Sequence, residues 1–296
     1  MKDDNLHRSH SPKPIIMRES TFEQMLAHVS RRFRVLSVSD FLRQEGGDGG
    51  GGKPACLITF DDGWGDNFSN AYPWLRKFGI PALIFLVTRL IGSEDVFWGE
   101  KLASFWEDSA QTGKLQSEFI ALTGERGHKI TFPQAVEYLK HMPARKREEI
   151  LASLLKNSYP PPLASDVDRM MDWDQVVEMS RAGTDFGAHT ETHPLLVYES
   201  DETVQRELQG CKKTIEEKVG ARATAFAYPN GSWDQRVRGL VERAGYSCAF
   251  STRPGWHTPG EDLLTVRRVL LHEGNVTGRD GRFSPAIFEY TLMRGF

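Results

Sequence analysis

The sequence predicts an α/β fold in which about seven parallel strands alternate with helices, arranged as a barrel or as an open, doubly wound sheet. Three observations predict it. Seven short apolar, β-rich runs recur along the chain. Segments with helical spacing separate most of them. Unusual polar residues follow several of the runs, as expected where the carboxyl ends of parallel strands gather the chemistry.

FEQMLAHVSRRF (22–33) reads as a helix because its apolar residues return every three or four positions, and VLSV (35–38) reads as the first strand. GGDGGGG (46–52) is a flexible loop; Lys53 is followed by Pro54, not by Ser or Thr, so no phosphate-binding P-loop is present. CLITF (56–60) and ALIFLV (82–87) supply the next two strands, with a helix over NFSNAYPWLRKFG (67–79) between them. Residues 98–170 show helical periods without strands and close on Tyr-Pro-Pro-Pro at 159–162. They are expected to form a helical insertion within a single domain spanning 1–296. Helices over 172–183, 201–220 and 232–245 then lead into the strands TDFGA (184–188), ATAFAY (223–228) and SCAF (247–250). Asp201–Glu202 and Ser232–Asp234 supply helix starts, and several helices stop at glycine. TVRRVLL (265–271) completes the set.

Composition narrows the function classes. A hydrophobic content of 39% with 26% charged residues is that of a soluble globular protein, and a net charge of -3 argues against nucleic acid or an anionic membrane as partner. The three cysteines, Cys56, Cys211 and Cys248, have no metal-type spacing; Cys56 and Cys248 lie in apolar runs and are expected in the core. The opening MKDDNLHRSHSPKP lacks the apolar stretch of a signal peptide, and no segment has the apolar length of a membrane span, so a cytoplasmic protein is expected. The sequence sets no oligomeric state.

Four segments deliver polar groups to strand ends. Asp61 and Asp62 follow CLITF, and His189 and His193 (GAHTETHP) follow TDFGA. Tyr228, Pro229 and Asn230 follow ATAFA, and Arg267, Arg268 and His272 lie in or after the last run. Pro194 pushes His193 out of the α region, so the two histidines are expected on a loop or tight turn, not on one helix face. Two neutral imidazoles and one carboxylate make a three-ligand set for a catalytic zinc ion with an open position. One aspartate would then bind the cation while its neighbour serves as base.

TFDDG (59–63), GAHTETHP (187–194) and FAYPNG (226–231) together resemble the successive motifs of the polysaccharide deacetylases, carbohydrate esterase family four. The likeness extends over roughly 20–272, through FGIPALIFLVT (78–88) and GYSCAFSTRPGW (245–256). It implies a distorted (β/α) barrel and metal-dependent hydrolysis of an N-acetyl group on a sugar. It also implies Asp61 as catalytic base, Asp62, His189 and His193 as ligands of a divalent metal, most naturally zinc, and the Asn230 N–H as donor to the oxyanion. The family's third motif often carries an arginine that braces the catalytic aspartate; Ala227 stands there, and Arg268 is the candidate to replace it. His272 is the nearest match to the family's general acid, with His257 behind it. Trp64, Tyr228, Trp233 and Trp256 flank the motifs and are candidates for sugar contact.

The expected function is a metal-dependent deacetylase acting on an acetylated amino sugar in a polysaccharide, oligosaccharide or glycoconjugate. Two alternatives stand beside it: an amidase or deformylase acting on a small or lipid-linked sugar, and a catalytically silent carbohydrate-binding barrel.

Overall fold

The computed structural model describes residues 16–44, 52–95, 97–106, 109–124, 130–156 and 169–295. The N-terminal stretch 1–14, the glycine loop through residue 51 and the Tyr-Pro-Pro-Pro run lie outside the described residues.

Helix α1 (Glu19–Arg32) buries Phe22, Met25, Leu26 and Val29 on one face, the three-and-four spacing of an amphipathic helix. Strand β1 (Arg34–Val35) pairs in parallel with β2 (Ala55–Cys56), and α2 (Val38–Gln44) lies between them in the chain. Strands β3 (Thr59–Phe60), β4 (Leu83–Leu86), β5 (Asp185–Ala188), β6 (Ala225–Ala227) and β7 (Cys248–Phe250) form a five-stranded parallel sheet in chain order. That order separates the two candidate architectures. A doubly wound sheet reverses its strand order at a switch point, whereas strands laid down in one direction curl toward a barrel. The result is an α/β fold built on a parallel half-barrel sheet.

A π-helical turn at Asn67–Ala71 leads into α3 (Tyr72–Phe78), which Gly79 ends at φ 61°. After β4 come α4 (Trp98–Trp106), α5 (Ser109–Thr123), α6 (Phe132–Lys140) and α7 (Ala144–Leu155), with no strand among the described residues between them. These four share an apolar cluster that includes Leu102, Trp106, Phe119, Leu139 and Leu151. Helices α8 (Trp173–Arg181), α9 (Asp201–Val219) and α10 (Gln235–Arg243) precede β5, β6 and β7, and the side chains of Asp172, Ser200 and Asp234 cap their starts. Two helices, α11 (Glu273–Val276) and α12 (Pro285–Met293), close the described chain. No described helix is long and apolar enough to cross a membrane.

Both faces of the sheet are buried, so its strands read as unbroken apolar runs. On β4, Leu83 and Phe85 pack with Ala225, Ala227, Cys248 and Phe250 on one face. Ile84 and Leu86 pack on the other, with Val204, Leu208 and Leu240 from the covering helices. Gly187 is required where β5 passes Phe85: a Cβ there would lie 2.7 Å from the ring and 2.9 Å from the Ala225 carbonyl oxygen.

Three strand expectations need correction. VLSV is strand only at its start, because Val38 already begins α2, its N–H bonded 2.9 Å from the Asp185 carboxylate. CLITF is two strands, since Cys56 pairs toward β1 and Thr59 toward β4. TVRRVLL is not a strand. A 3-10 turn at Leu263–Thr265 leaves Val266 as its one bridge, to Phe250, and Arg268 then bonds the Ser251 carbonyl through its side chain.

Candidate active site

Asp61 and Asp62 leave β3 as the chain turns, with Asp62 at φ 75° and Gly63 at φ 89°. A side chain at Gly63 would be strained by this φ, and its Cβ would press on the ends of the Leu86 and Ile91 side chains at 2.8 Å. The end of β4 then measures out the site. The Val87 N–H donates to the Asp62 carbonyl at 3.3 Å and the Thr88 N–H to the Thr190 carbonyl at 3.3 Å. One strand thereby holds the aspartate loop and the histidine loop side by side.

The two aspartates face different surroundings. The Arg268 guanidinium forks onto Asp61, Nη1 to Oδ1 at 2.7 Å and Nη2 to Oδ2 at 2.8 Å. Arg268 is itself fixed by the Ser251 carbonyl at 2.9 Å and the Thr59 hydroxyl at 3.2 Å. Burial alone would raise the Asp61 carboxyl; the charge and hydrogen bonds of Arg268 overcome it and bring the group down to about 2. Asp62 has no such partner, and burial pushes its carboxyl up. Its Oδ2 accepts the Trp64 indole N–H at 3.1 Å, while Oδ1 faces His189 Nε2 at 3.5 Å and His193 Nε2 at 3.7 Å.

His189 is buried, and its Nδ1 donates to the Ala227 carbonyl at 2.7 Å. A carbonyl only accepts, so the proton sits on Nδ1 and the Nε2 lone pair faces Asp62. His193 adopts φ 60° beside Thr190 at φ 69°, its N–H bonded to the Thr190 hydroxyl at 2.9 Å. Phe97 packs edge-on against it, ring centroids 5.1 Å apart. Burial holds both imidazoles below their ordinary value, His193 at about 4, so both are neutral near pH 7.

Candidate ligand atoms of Asp62, His189 and His193 all lie within 4.8 Å of one another. The Nε2 to Oδ1 gaps are too long for hydrogen bonds. They match the spacing of about 3.4 Å expected between two ligands held about 2.0–2.1 Å from a tetrahedral cation. The donor set, the fixed His189 tautomer and the neutral imidazoles therefore fit a divalent metal.

Among the described residues, the four non-glycine positions with positive φ, Asp62, Thr190, His193 and Asn230, all belong to the motif loops. Each conformation costs about 1 kcal/mol or more, and the surrounding bonds hold it in place. Asn230 sits at φ 55° in the turn Pro229–Gly231 after β6, its carbonyl accepting the Thr252 hydroxyl at 3.2 Å.

Other sequence candidates are placed elsewhere. Tyr228 is fully buried, and its hydroxyl donates to the Leu264 carbonyl at 2.9 Å, so it is a core residue and not a sugar contact. Trp256 is exposed but ties its indole N–H to the Leu292 carbonyl at 2.7 Å, on α12. Trp64 supports Asp62, as above. Trp233 lies under the Arg253 guanidinium, 5.2 Å from its ring centroid. His257 packs edge-on against Phe41. His272 caps α11, its Nδ1 accepting the Gly274 N–H at 3.1 Å, and no bond of it reaches Asp61, Asp62, His189 or His193.

Glu207 went unnoticed in the sequence. Its buried carboxylate accepts the Glu191 and Thr192 N–H groups at 2.8 and 2.9 Å and the Thr192 hydroxyl at 2.7 Å, clamping the histidine loop. The available signal was one acid among Val204, Leu208, Cys211 and Ile215 on the apolar face of α9.

A family model described as polysaccharide deacetylase matches residues 48–249. YxkH of Bacillus subtilis (strain 168), a provisionally named polysaccharide deacetylase, is 22% identical over 222 residues, 75% of this chain. The chain spans about half, 53%, of that protein. Among solved structures, the Streptococcus pyogenes deacetylase PplD in complex with acetate superimposes with a TM-score of 0.63 at 17% identity, over 99% of this chain and 92% of that one. BC0361, a polysaccharide deacetylase from Bacillus cereus, gives 0.61 at 18%, over 96% and 64% of the two chains. IcaB from Ammonifex degensii gives 0.59 at 17%, over 93% and 89%. At these identities the structural likeness establishes the fold.

Proposed function

The chain belongs to the polysaccharide deacetylase family, and from that premise we propose that it is a metal-dependent hydrolase removing the N-acetyl group from an amino sugar in a polysaccharide, oligosaccharide or glycoconjugate. The carrying observation is a pair of adjacent aspartates with opposite surroundings: Asp61 is braced by Arg268, and Asp62 faces two histidines. Carboxyl groups pushed apart in this way take different roles. The same reading treats 1–296 as one distorted barrel domain, with 98–170 as an insertion beside the cleft.

Asp62, His189 and His193 would hold the cation, with zinc the best match to two imidazoles and a carboxylate. When bound, it supplies Lewis acidity to the acetyl carbonyl and lowers the pKa of a neighbouring water. Asp61, ionised and held by Arg268, accepts the proton of the attacking water. The water oxygen joins the acetyl carbon, the carbon–nitrogen bond breaks, and acetate and the free amine result. The Asn230 N–H donates to the acetyl oxygen as negative charge builds there. The leaving nitrogen requires a proton; His272 is the candidate donor, and acting as an imidazolium it would have to release the Gly274 N–H that its Nδ1 accepts here. All four of Asp61, Asp62, His189 and His193 are present and assembled, which supports catalysis over a silent binding barrel.

Purified protein is expected to hold about one equivalent of zinc and to release acetate from a panel of N-acetylated sugars. Asp61→Asn should keep the metal and lose about 10²–10⁴ in rate. His189→Ala should lose both. An Asp61→Asn variant as fast as the wild type would show that the base is another residue.

A further inference from the structure

The helical segment α4–α7 meets the proposed metal group through a side chain at its start. Phe97 directly precedes α4, and its carbonyl accepts the Glu100 and Lys101 N–H groups at 3.0 and 3.1 Å, so the first turn of that helix sets where it stands. Its half-buried ring packs against two others. Between centroids, the Trp64 ring lies 5.4 Å away and the His193 imidazole 5.1 Å. Trp64 in turn gives its indole N–H to Asp62. A residue outside the three motifs thereby bears on two of the three candidate ligands, His193 directly and Asp62 through Trp64.

The two imidazoles are held by different means. His189 is fixed by the hydrogen bond from Nδ1 to the Ala227 carbonyl. Among the described residues no hydrogen bond joins the His193 ring to another residue. It is met instead by two rings, His189 at 4.8 Å with 67° between planes and Phe97 at 5.1 Å with 76°. Rotation of an imidazole about its last side-chain bond is soft, so a ring without an outer hydrogen bond depends on packing for its plane. Beyond α7 in the chain, residues 169–171 reach the aspartate turn through the backbone. The Gly65 N–H donates to the Arg169 carbonyl at 2.7 Å, and the Met171 N–H donates to the Gly63 carbonyl at 2.9 Å. The segments flanking α4–α7 on both sides thus close on the turn that carries Asp62.

We propose that Phe97 is a positioning residue for the metal group. It fixes the plane of the His193 imidazole and seats Trp64 behind Asp62, so that the ligand lone pairs converge on a tetrahedral cation. Edge-to-face ring contacts are directional, and an apolar wall beside a metal also limits the approach of water. This rests on the reading of Asp62, His189 and His193 as the metal group; the part played by Phe97 rests on its ring contacts.

Zinc affinity of the full chain, read by chelator competition, and the visible spectrum of the cobalt-substituted protein test it. Phe97→Ala should weaken zinc binding by about 10–100-fold and dim the intense absorption of four-coordinate cobalt. Phe97→Leu, which fills the space without an aromatic edge, should show a smaller loss in the same direction. Phe97→Tyr, which keeps the ring, should retain most of the wild-type affinity. Leu139→Ala, in the apolar cluster that α4–α7 share, should lower the denaturation midpoint and leave zinc affinity unchanged. The proposal is overturned if folded Phe97→Ala and Phe97→Leu hold zinc as tightly as the wild type. It is overturned equally if Leu139→Ala weakens zinc as much as Phe97→Ala, because the loss would then be one of general packing. Acetate release from the same samples separates the two ideas. Phe97-dependent zinc binding without acetate release from any N-acetylated sugar would sink the deacetylase reading and leave the positioning role standing. Zinc-dependent release, with zinc affinity untouched in Phe97→Ala, would do the reverse, and a wild type that takes up no zinc would overturn both.

Discussion

The strand ends and the helices α4–α7 treat buried polar groups in opposite ways. At the strand ends four charged or polar side chains have partners in the protein. Asp61 has Arg268, Asp62 has Trp64, His189 has the Ala227 carbonyl and Glu207 has the histidine loop. In the helices, Arg147 is as deeply buried and its Nε has none. The difference separates two tasks. Groups that carry out a reaction are held ready before substrate arrives, because orientation supplied in advance lowers the barrier. The buried cation among the helices is offset by packing alone, against the Trp98 ring.

Removing Arg268 should do the most to erase the contrast. Arg268→Met leaves Asp61 as unpaired as Arg147, and acetate release should fall by about a hundredfold or more. Stability of the metal-stripped protein should respond as well. Asp61 titrates at about 2 in the folded chain, against an ordinary value near 3.8. A depressed carboxyl contributes its stabilisation in full above the unfolded value and loses it as pH falls through the folded one. The wild type should therefore lose up to about 2 kcal/mol between pH 4 and 2. In Arg268→Met, burial raises the carboxyl instead, so that loss should vanish or reverse. Denaturant titrations across this window check it, and identical pH slopes in the two proteins would refute the role of the pair.

A smaller effect is expected from Trp64→Phe, which removes the indole N–H from Asp62 but keeps the ring against Phe97. Zinc affinity should weaken by about 10–100-fold in a chelator competition assay. His272→Ala should do least to the fold, costing about 0.5–2 kcal/mol for the lost cap of α11. Its acetate-release rate decides a separate question. A drop of more than about a hundredfold would assign His272 the proton-donating role, and a near-normal rate would make it a cap alone.

What was legible in the sequence follows the same division. Strands buried on both faces stand out as apolar runs, and Asp61, Asp62, His189 and His193 stand out because such residues are unusual at strand ends. Partner changes are invisible in a run of letters, so the division of CLITF between two sheets was not readable. Tyr228 was misread because proximity in sequence to a motif says nothing about which way a ring turns; here it turns inward, to Leu264. Arg147 sits in ARKREE, which reads as a solvated basic stretch. Yet Arg147, Ile150, Leu151 and Leu154 fall at positions i, i+3, i+4 and i+7, all buried. That spacing put the arginine on the apolar face of α7.

The Asp61–Arg268 bond has a consequence in time. Its partners are 207 residues apart, so the arginine leaves the ribosome on the order of ten seconds or more after the aspartate. Asp62, His189 and His193 all precede it, as does Ala227, whose carbonyl fixes His189. A nascent chain that has passed β6 thus carries every proposed metal ligand while its proposed base is still an unbraced carboxyl. Metal capture can come before the proposed base is braced, which waits for the segment that carries Arg268.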